Sequence, residues 1–336
     1  MAIVRSVLGD LDPVRLGFTH CHEHLFVFPT KGVELAEKLV LDDYGKSVAE
    51  LQSFRAVGGR TVVDVQPFGA GRHPELLARA AQAAGVNIVA ATGLHRCLYY
   101  PENFWMYRAG VDELAELFGS EILSGMYAYD AAQPFAGPTT IRAGVIKIGT
   151  DAEGLTAHYR KVFEAAARAH RQTGAPVMTH TELSTWGREQ AEYLLERGVA
   201  AESIIISHMD RVIDLGRNLE LARLGVYLEY DTIGRFRYHS DEEELELVRA
   251  MVDAGFAERV LLGMDVTRER MPAYGGSCGL AYLARSFLPR LREGGVDAAA
   301  ISSMTVANPA RALVLRREPA GAGRGRAGGP GGGGGP

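Results

Sequence analysis

Short apolar runs alternate along the chain with longer segments of helical character, and the alternation recurs eight times. The first run covers residues 16–26. A helical stretch at 41–56 opens on Leu41, Asp42 and Asp43 and stops at Gly58 and Gly59. The β-branched run 60–65 follows, then a helix at 74–84 that ends at Gly85, then a third run at 86–92. An aromatic-rich segment (Leu98, Tyr99, Tyr100, Phe104, Trp105, Tyr107) leads into a helix near 111–125. Further strands are expected at 143–148, 176–180, 203–208, 226–231 and 259–265, with helices at 155–172, 187–197, 212–224 and 241–254 between and after them. Helical segments at 278–293 and 308–316 close the pattern. Strands apolar along most of their length are buried on both faces, which is the signature of a parallel sheet. Eight such units make a single α/β domain, a (β/α)8 TIM barrel over residues 1–317, the expected fold. Residues 318–336, rich in Gly, Pro, Ala and Arg, cannot bury apolar surface and are expected to be disordered.

Composition narrows the function classes. The chain has 336 residues, 47% hydrophobic and 23% charged, as in ordinary globular proteins. A formal net charge of -5 and a pI near 6.1 leave no basic footprint for nucleic acid. No apolar run approaches the ~20 residues that span a bilayer. Residues 1–6 lack a charged start followed by a long apolar core, so no signal peptide is expected. Cys21, Cys97 and Cys278 are odd in number and far apart, which fits reduced thiols and a cytoplasmic location.

The polar residues that interrupt the apolar runs share a position. His22 and His24 lie toward the end of the first strand, Lys147 is next to last in the fourth, and His180, His208 and Asp265 end the fifth, sixth and eighth. In an α/β barrel all strand C-termini open on one face, where active sites are built. Residues i and i+2 of a strand share a face, so His22 and His24 aim two imidazoles at one point, as a metal ion requires. Lys147 reads two ways. It either pairs with Asp265 or reaches solvent, or desolvation keeps it a neutral amine able to take up carbon dioxide as a carbamate.

These residues carry a resemblance. Gly17-Phe18-Thr19 with His22-Glu23-His24, Ala143 to Lys147, Thr179-His180-Thr181, Ser207-His208 and Met264-Asp265 resemble the phosphotriesterase family of the amidohydrolase superfamily. Val7-Leu8-Gly9-Asp10, Ala91-Thr92-Gly93 and Ala307-Asn308-Pro309 fit the same pattern, and the likeness spans roughly residues 3–316. The resemblance implies a binuclear-metal hydrolase of esters. His22, His24 and Asp265 would hold one metal, His180 and His208 the other, and carboxylated Lys147 would bridge them with a hydroxide. The donor set suits zinc, with manganese or cobalt as substitutes. Asp265 would be the proton relay. Homodimers are common in the family, which gives the expected assembly.

Substrate choice in barrels is made by the loops after the strands. Family members hydrolyse organophosphate triesters, acyl-homoserine lactones or phosphorylated sugar lactones. His95 stands where acyl-homoserine lactonases carry a tyrosine, and their Asp-Arg-Tyr motif after the seventh strand is missing here. Arg237 and Arg268 resemble the cations that hold substrate phosphate in the sugar-phosphate branch, with Tyr274 as a helper. The alternative is that these arginines pair with Asp241, Glu242 or Glu243 at the surface. The expected substrate is thus a small lactone, phosphorylated sugar lactones first, with phosphotriesters and acyl-homoserine lactones as alternatives and a non-catalytic metal sensor as the remote one. His95, Tyr99 and Tyr100 are candidates to line the pocket. Cys21 is expected to pack, and His73, His158, His170 and His239 to be solvated. Trp105 and Trp186 either wall the pocket or pack.

Overall fold

The computed structural model describes residues 2–31, 34 and 36–316. The glycine-rich tail expected at 318–336 lies outside the described residues. The chain opens with a hairpin, β1 (Val4–Ser6) against β2 (Gly9–Leu11), and then alternates strands with helices. The strands are β3 (Thr19–Glu23), β4 (Thr61–Asp64), β5 (Asn87–Gly93), β6 (Val145–Gly149), β7 (Val177–His180), β8 (Ile204–Ser207), β9 (Tyr227–Tyr230) and β10 (Val260–Leu262). The helices between and after them are α1 (Tyr44–Ala56), α2 (Pro74–Ala84), α3 (Val111–Leu123), α4 (Ala157–Thr173), α5 (Gly187–Leu195), α6 (Leu215–Arg223), α7 (Asp241–Asp253), α8 (Leu288–Glu293), α9 (Ala298–Ser302) and α10 (Asn308–Ala312). The eight strands β3 to β10 pair in sequence order, each parallel to the next. The Asp265 amide donates to His22 O at 2.9 Å and draws the last strand against the first. This is the expected (β/α)8 barrel.

Two apolar layers hold it. One lies between the sheet and the helices and includes Ile146, Ile148, Ile204, Ile206, Leu228 and Leu262. The other fills the barrel and includes Cys21, Val63, Val89, Val145, Met178 and Tyr227. The side-chain period of two decides what stands above this inner layer. Val145 is followed on its face by Lys147, Met178 by His180, Ile205 by Ser207, and Tyr227 by Glu229 and Asp231. The same alternation that fills the barrel therefore delivers polar groups to its C-terminal mouth. Gly93 permits a close approach there: its φ is +101°, and a Cβ at that point would stand 1.9 Å from Lys147 O.

Some boundaries moved for local reasons. The hairpin was not anticipated, since two three-residue strands give no legible alternation. It covers the base of the barrel, where the Val7 amide donates to Ile88 O at 2.9 Å and Arg5 grips Asp10 at 2.7 and 3.0 Å. Helix α6 begins at Leu215, not at 212, because the Asp214 side chain caps it by accepting from the Arg217 amide. Of the two closing helical segments, 278–293 is a π-helical turn at Leu283–Phe287 followed by α8 with Pro289 in its first turn, and 308–316 is a short helix at Asn308–Ala312. Among the described residues no helix is long and apolar enough to cross a membrane.

Candidate metal centre

Four histidine rings meet at the mouth of the barrel. The centroids of His180 and His208 lie 4.4 Å apart, His22 and His208 4.7 Å, and His22 and His24 6.0 Å. Strict alternation does not give this arrangement. His208 has the parity of the outward Ile204 and Ile206, and a left-handed backbone at φ 64° turns it inward. A register irregularity in β3 between His20 and Glu23 carries His22 and His24 to the same mouth. Asp265, three residues beyond β10, is also left-handed at φ 43°. Non-glycine residues held there cost energy, and such strain concentrates at functional sites.

Carboxylates fix which ring nitrogens point at one another. His22 Nδ1 stands 2.6 Å from Glu229 Oε2 and 3.2 Å from Asp231 Oδ2. His208 Nδ1 stands 2.6 Å from Asp231 Oδ1. A carboxylate at Nδ1 places the proton there and leaves the Nε2 lone pair free, the tautomer that metal-binding imidazoles use. His208 Nε2 in turn lies 2.8 Å from His180 Nδ1, two donor atoms crowded on one point. Burial, first of all, pulls His22, His180 and His208 well below the usual imidazole range, so they are neutral ligands at neutral pH. His24 Nε2 approaches Asp265 Oδ1 at 3.3 Å, and donor atoms of His22, His24 and Asp265 fall within 4.8 Å of one another. The residues present thus fit metal ions on the chemistry of their donors.

Asp265 is ionised against its surroundings. Burial opposes its charge, but Arg235 and His24 overcome that and hold it well below the usual carboxylate range. Arg235 pairs with Asp265 Oδ2, and Arg211 Nη2 donates to the same oxygen at 3.1 Å.

Lys147 sits one layer lower, fully buried, with Nζ donating to Ser207 Oγ at 3.3 Å. Desolvation lowers its pKa from 10.5 to about 8, opposed by Glu229, Asp231 and Asp265. The same desolvation raises Glu229 to about 8.

A cavity of about 150 Å³ opens over these groups. At ~30 Å³ per molecule it has room for about five waters, so it suits a small polar ligand. It is lined by the histidines, Asp265, His95, Tyr99, Arg96, Arg211, Arg235, Arg237 and Tyr238, with Val27, Leu39 and Leu41 on one wall. His95 Nδ1 accepts the Arg96 amide at 2.8 Å, which leaves Nε2–H as its donor. A larger cavity of about 550 Å³, walled by Phe68, Phe104, Trp105, Tyr127 and Phe135, lies apart and contains none of the convergent groups.

Arg237 lines the cavity from its rim and donates to Tyr238 Oη at 2.6 Å. Arg268 and Tyr274 do not line it. Arg268 lies 5.3 Å from the Tyr274 ring and donates to Val40 O at 3.1 Å, while Tyr274 donates to Asp43 O at 2.8 Å. Those contacts pin both residues to the segment before α1, away from the ligand space. His239 and His170, expected to be solvated, are both buried. Tyr100 packs, its hydroxyl donating to Phe68 O at 2.9 Å. Sequence reasoning missed Glu229, Asp231, Arg211 and Arg235. Glu229 carried a signal, a charge inside an apolar strand like that of Lys147. The two arginines carried none, because their partner is 54 and 30 residues away.

A profile of the phosphotriesterase family matches residues 2–313. The chain belongs to the phosphotriesterase family. Phosphotriesterase homology protein of Escherichia coli is 33% identical over 303 residues, covering 90% of this chain and 99% of that one. Its crystal structure, complexed with phosphate in the active site, superposes with a TM-score of 0.81 at 34% identity, covering 89% and 99%. A phospho-furanose lactonase of Mycoplasmopsis synoviae is 31% identical over 320 residues, covering 92% and 91%. The structure of an amidohydrolase from Mycoplasma synoviae matches with a TM-score of 0.89 at 30% identity over 95% and 93% of the two chains. Within this family the chain is a hydrolase acting on ester bonds, with lactonases among its relatives.

Proposed function

We propose that this phosphotriesterase-family protein hydrolyses small phosphorylated sugar lactones. The observation that carries the reading is one small polar cavity with four convergent histidines and Asp265 at its floor and Arg237 at its rim. The phosphate in the Escherichia coli active site and the name of the Mycoplasmopsis relative support it.

His22, His24 and Asp265 would hold one divalent ion, zinc in the first instance, and His180 and His208 a second, with Lys147 as a carbamate between them. Such a pair supplies a hydroxide near neutral pH and polarises an ester oxygen. The chain's own residues do the rest. Glu229 and Asp231 hold His22 and His208 in the ligating tautomer. Asp265, kept ionised by Arg235 and His24, accepts a proton from the attacking group and passes it to the leaving ring oxygen. His95 offers Nε2–H to the substrate. Arg237 grips the phosphate, and Arg268 and Tyr274, which do not line the cavity, take no part in it.

Arg237→Ala tests the phosphate grip. A charge-assisted hydrogen bond contributes ~1.5–3 kcal/mol, so KM for a phosphorylated lactone should rise about 10- to 100-fold with little change in kcat. KM for the unphosphorylated lactone should not move. An equal effect on both substrates would remove Arg237 from phosphate binding.

Carbamate formation has a pH signature. Only the neutral amine attacks carbon dioxide, and the fall from 10.5 to about 8 enriches that form at pH 7 by roughly two orders of magnitude. Reactivation of metal-free protein by zinc at fixed dissolved carbon dioxide should therefore speed up about tenfold per pH unit below about 8 and level off above it. Reactivation that ignores carbon dioxide would count against the carbamate.

A further inference from the structure

A second cluster of metal-binding side chains lies behind the catalytic cavity and takes no part in it. Asp210 follows β8, His239 precedes α7, and Glu244 is in the first turn of α7. All three are buried, at 0%, 9% and 0% exposure, and one donor atom of each lies within 4.8 Å of the others.

Three features set this cluster apart from an ordinary polar core. First, His239 Nδ1 stands 3.0 Å from Ser240 O, which can only accept, so Nδ1 carries the proton and the neutral ring presents its lone pair at Nε2. That lone pair faces Glu244 Oε2 at 3.1 Å and Thr232 Oγ1 at 3.1 Å. Second, neither oxygen of Glu244 has a hydrogen-bond partner, nor has Asp210 Oδ1. Third, among the described residues no lysine or arginine forms an ion pair with either carboxylate, and the group within ion-pair distance of Glu244 is His239, a cation only if its Nε2 is protonated as well. Burial first, then Asp210, Asp231 and Asp241, pushes Glu244 well above the usual carboxylate range.

Buried carboxylates without donors require a cation or a proton. One proton shared between Asp210 and Glu244 would still leave carboxylate oxygens bare. A metal ion takes up both carboxylates and the His239 lone pair together. Donors ~2.0–2.1 Å from a tetrahedral ion stand about 3.3 Å apart, and His239 Nε2 and Glu244 Oε2 stand 3.1 Å apart. One imidazole and two carboxylates, with the Thr232 hydroxyl at hand, suit zinc or manganese.

We propose that Asp210, His239 and Glu244 bind a divalent metal ion additional to any at the catalytic mouth, and that this ion is structural. Asp210 Oδ2 accepts the Thr232 amide at 2.6 Å, next to Asp231. The ion thereby anchors the loop after β9, which carries Arg235 and Arg237 into the cavity.

The test is a metal count on the full chain. Zinc-loaded protein is freed of loosely held metal, and zinc per folded chain is measured for the unaltered protein and for Glu244→Gln. The pair is repeated in a Lys147→Met background, so that metal lost from the catalytic mouth is not mistaken for this site. The expected result is one equivalent fewer in Glu244→Gln in both backgrounds. His239→Gln replaces Glu244→Gln if that variant does not fold. No difference in either background overturns the proposal and leaves protonated carboxyls as the occupants. A difference seen only with Lys147 intact overturns it as well, because the lost ion is then one of the catalytic mouth.

Discussion

Lys147→Met should bring ester hydrolysis to background and empty the catalytic mouth of at least one metal ion per chain. Methionine keeps the length of the side chain and removes the amine, so nothing remains to take up carbon dioxide or to bridge two ions. The effect is large because the nucleophile depends on it: bound metal brings the pKa of water from 15.7 down to about 7, and without the metal that shift of roughly nine units is lost. The fold should survive. Lys147 lies among Ser207, Glu229 and the apolar filling of the barrel, where desolvation already disfavours its charged form, so methionine fills the same space without a charge to bury. Glu229, already raised to about 8, can meet the loss by holding a proton. Metal analysis with turnover on the same preparation checks this. A Lys147→Met protein that keeps its metals and its activity would remove the lysine from the centre.

Asp265→Asn should lower kcat by about 10² to 10⁴-fold, the usual share of a positioned proton-transfer group. It should also unsettle the site. Arg211 and Arg235 both converge on Asp265 Oδ2, and a neutral amide leaves two buried guanidinium groups without their charge partner. Removing one member of a buried ion pair costs ~3–5 kcal/mol, so a fall in Tm should accompany the kinetic loss. The two effects separate by pH. Asp265 has its folded pKa held well below its unfolded value. The stability it contributes is therefore present above the ordinary carboxylate pKa of ~3.9 and is lost as pH falls through the folded value. The Tm difference between the unaltered protein and Asp265→Asn should hold through neutral pH and shrink on acidification. A difference that grows in acid would contradict the arginine-held carboxylate.

The barrel was legible because its signals are local. β-Branched runs marked the strands, and Gly85 marked a helix end, where it adopts a left-handed φ of 64°. His22, His24, Lys147, His180, His208 and Asp265 were legible as strand-end polar residues in apolar surroundings, and the structure brings them to one mouth. What the sequence hid is whatever depends on distance. Arg211 and Arg235 meet Asp265 only through the closure of the barrel. Arg268 resembled a phosphate ligand by position, but the path of its loop turns it onto Tyr274 and Val40. His239 looked solvated in a polar stretch, and only the packing of α7 buries it beside Glu244.

Proton release on a lactone panel is the most direct test of the proposed activity. Zinc-loaded protein would be offered phosphorylated aldonolactones, the same lactones without phosphate, acyl-homoserine lactones and a neutral aryl phosphotriester, with Asp265→Asn as control. The expected result is turnover on the phosphorylated lactones far above the others, lost in Asp265→Asn. Turnover mainly on the triester or the acyl-homoserine lactones, or none on the panel with metals bound, would contradict it.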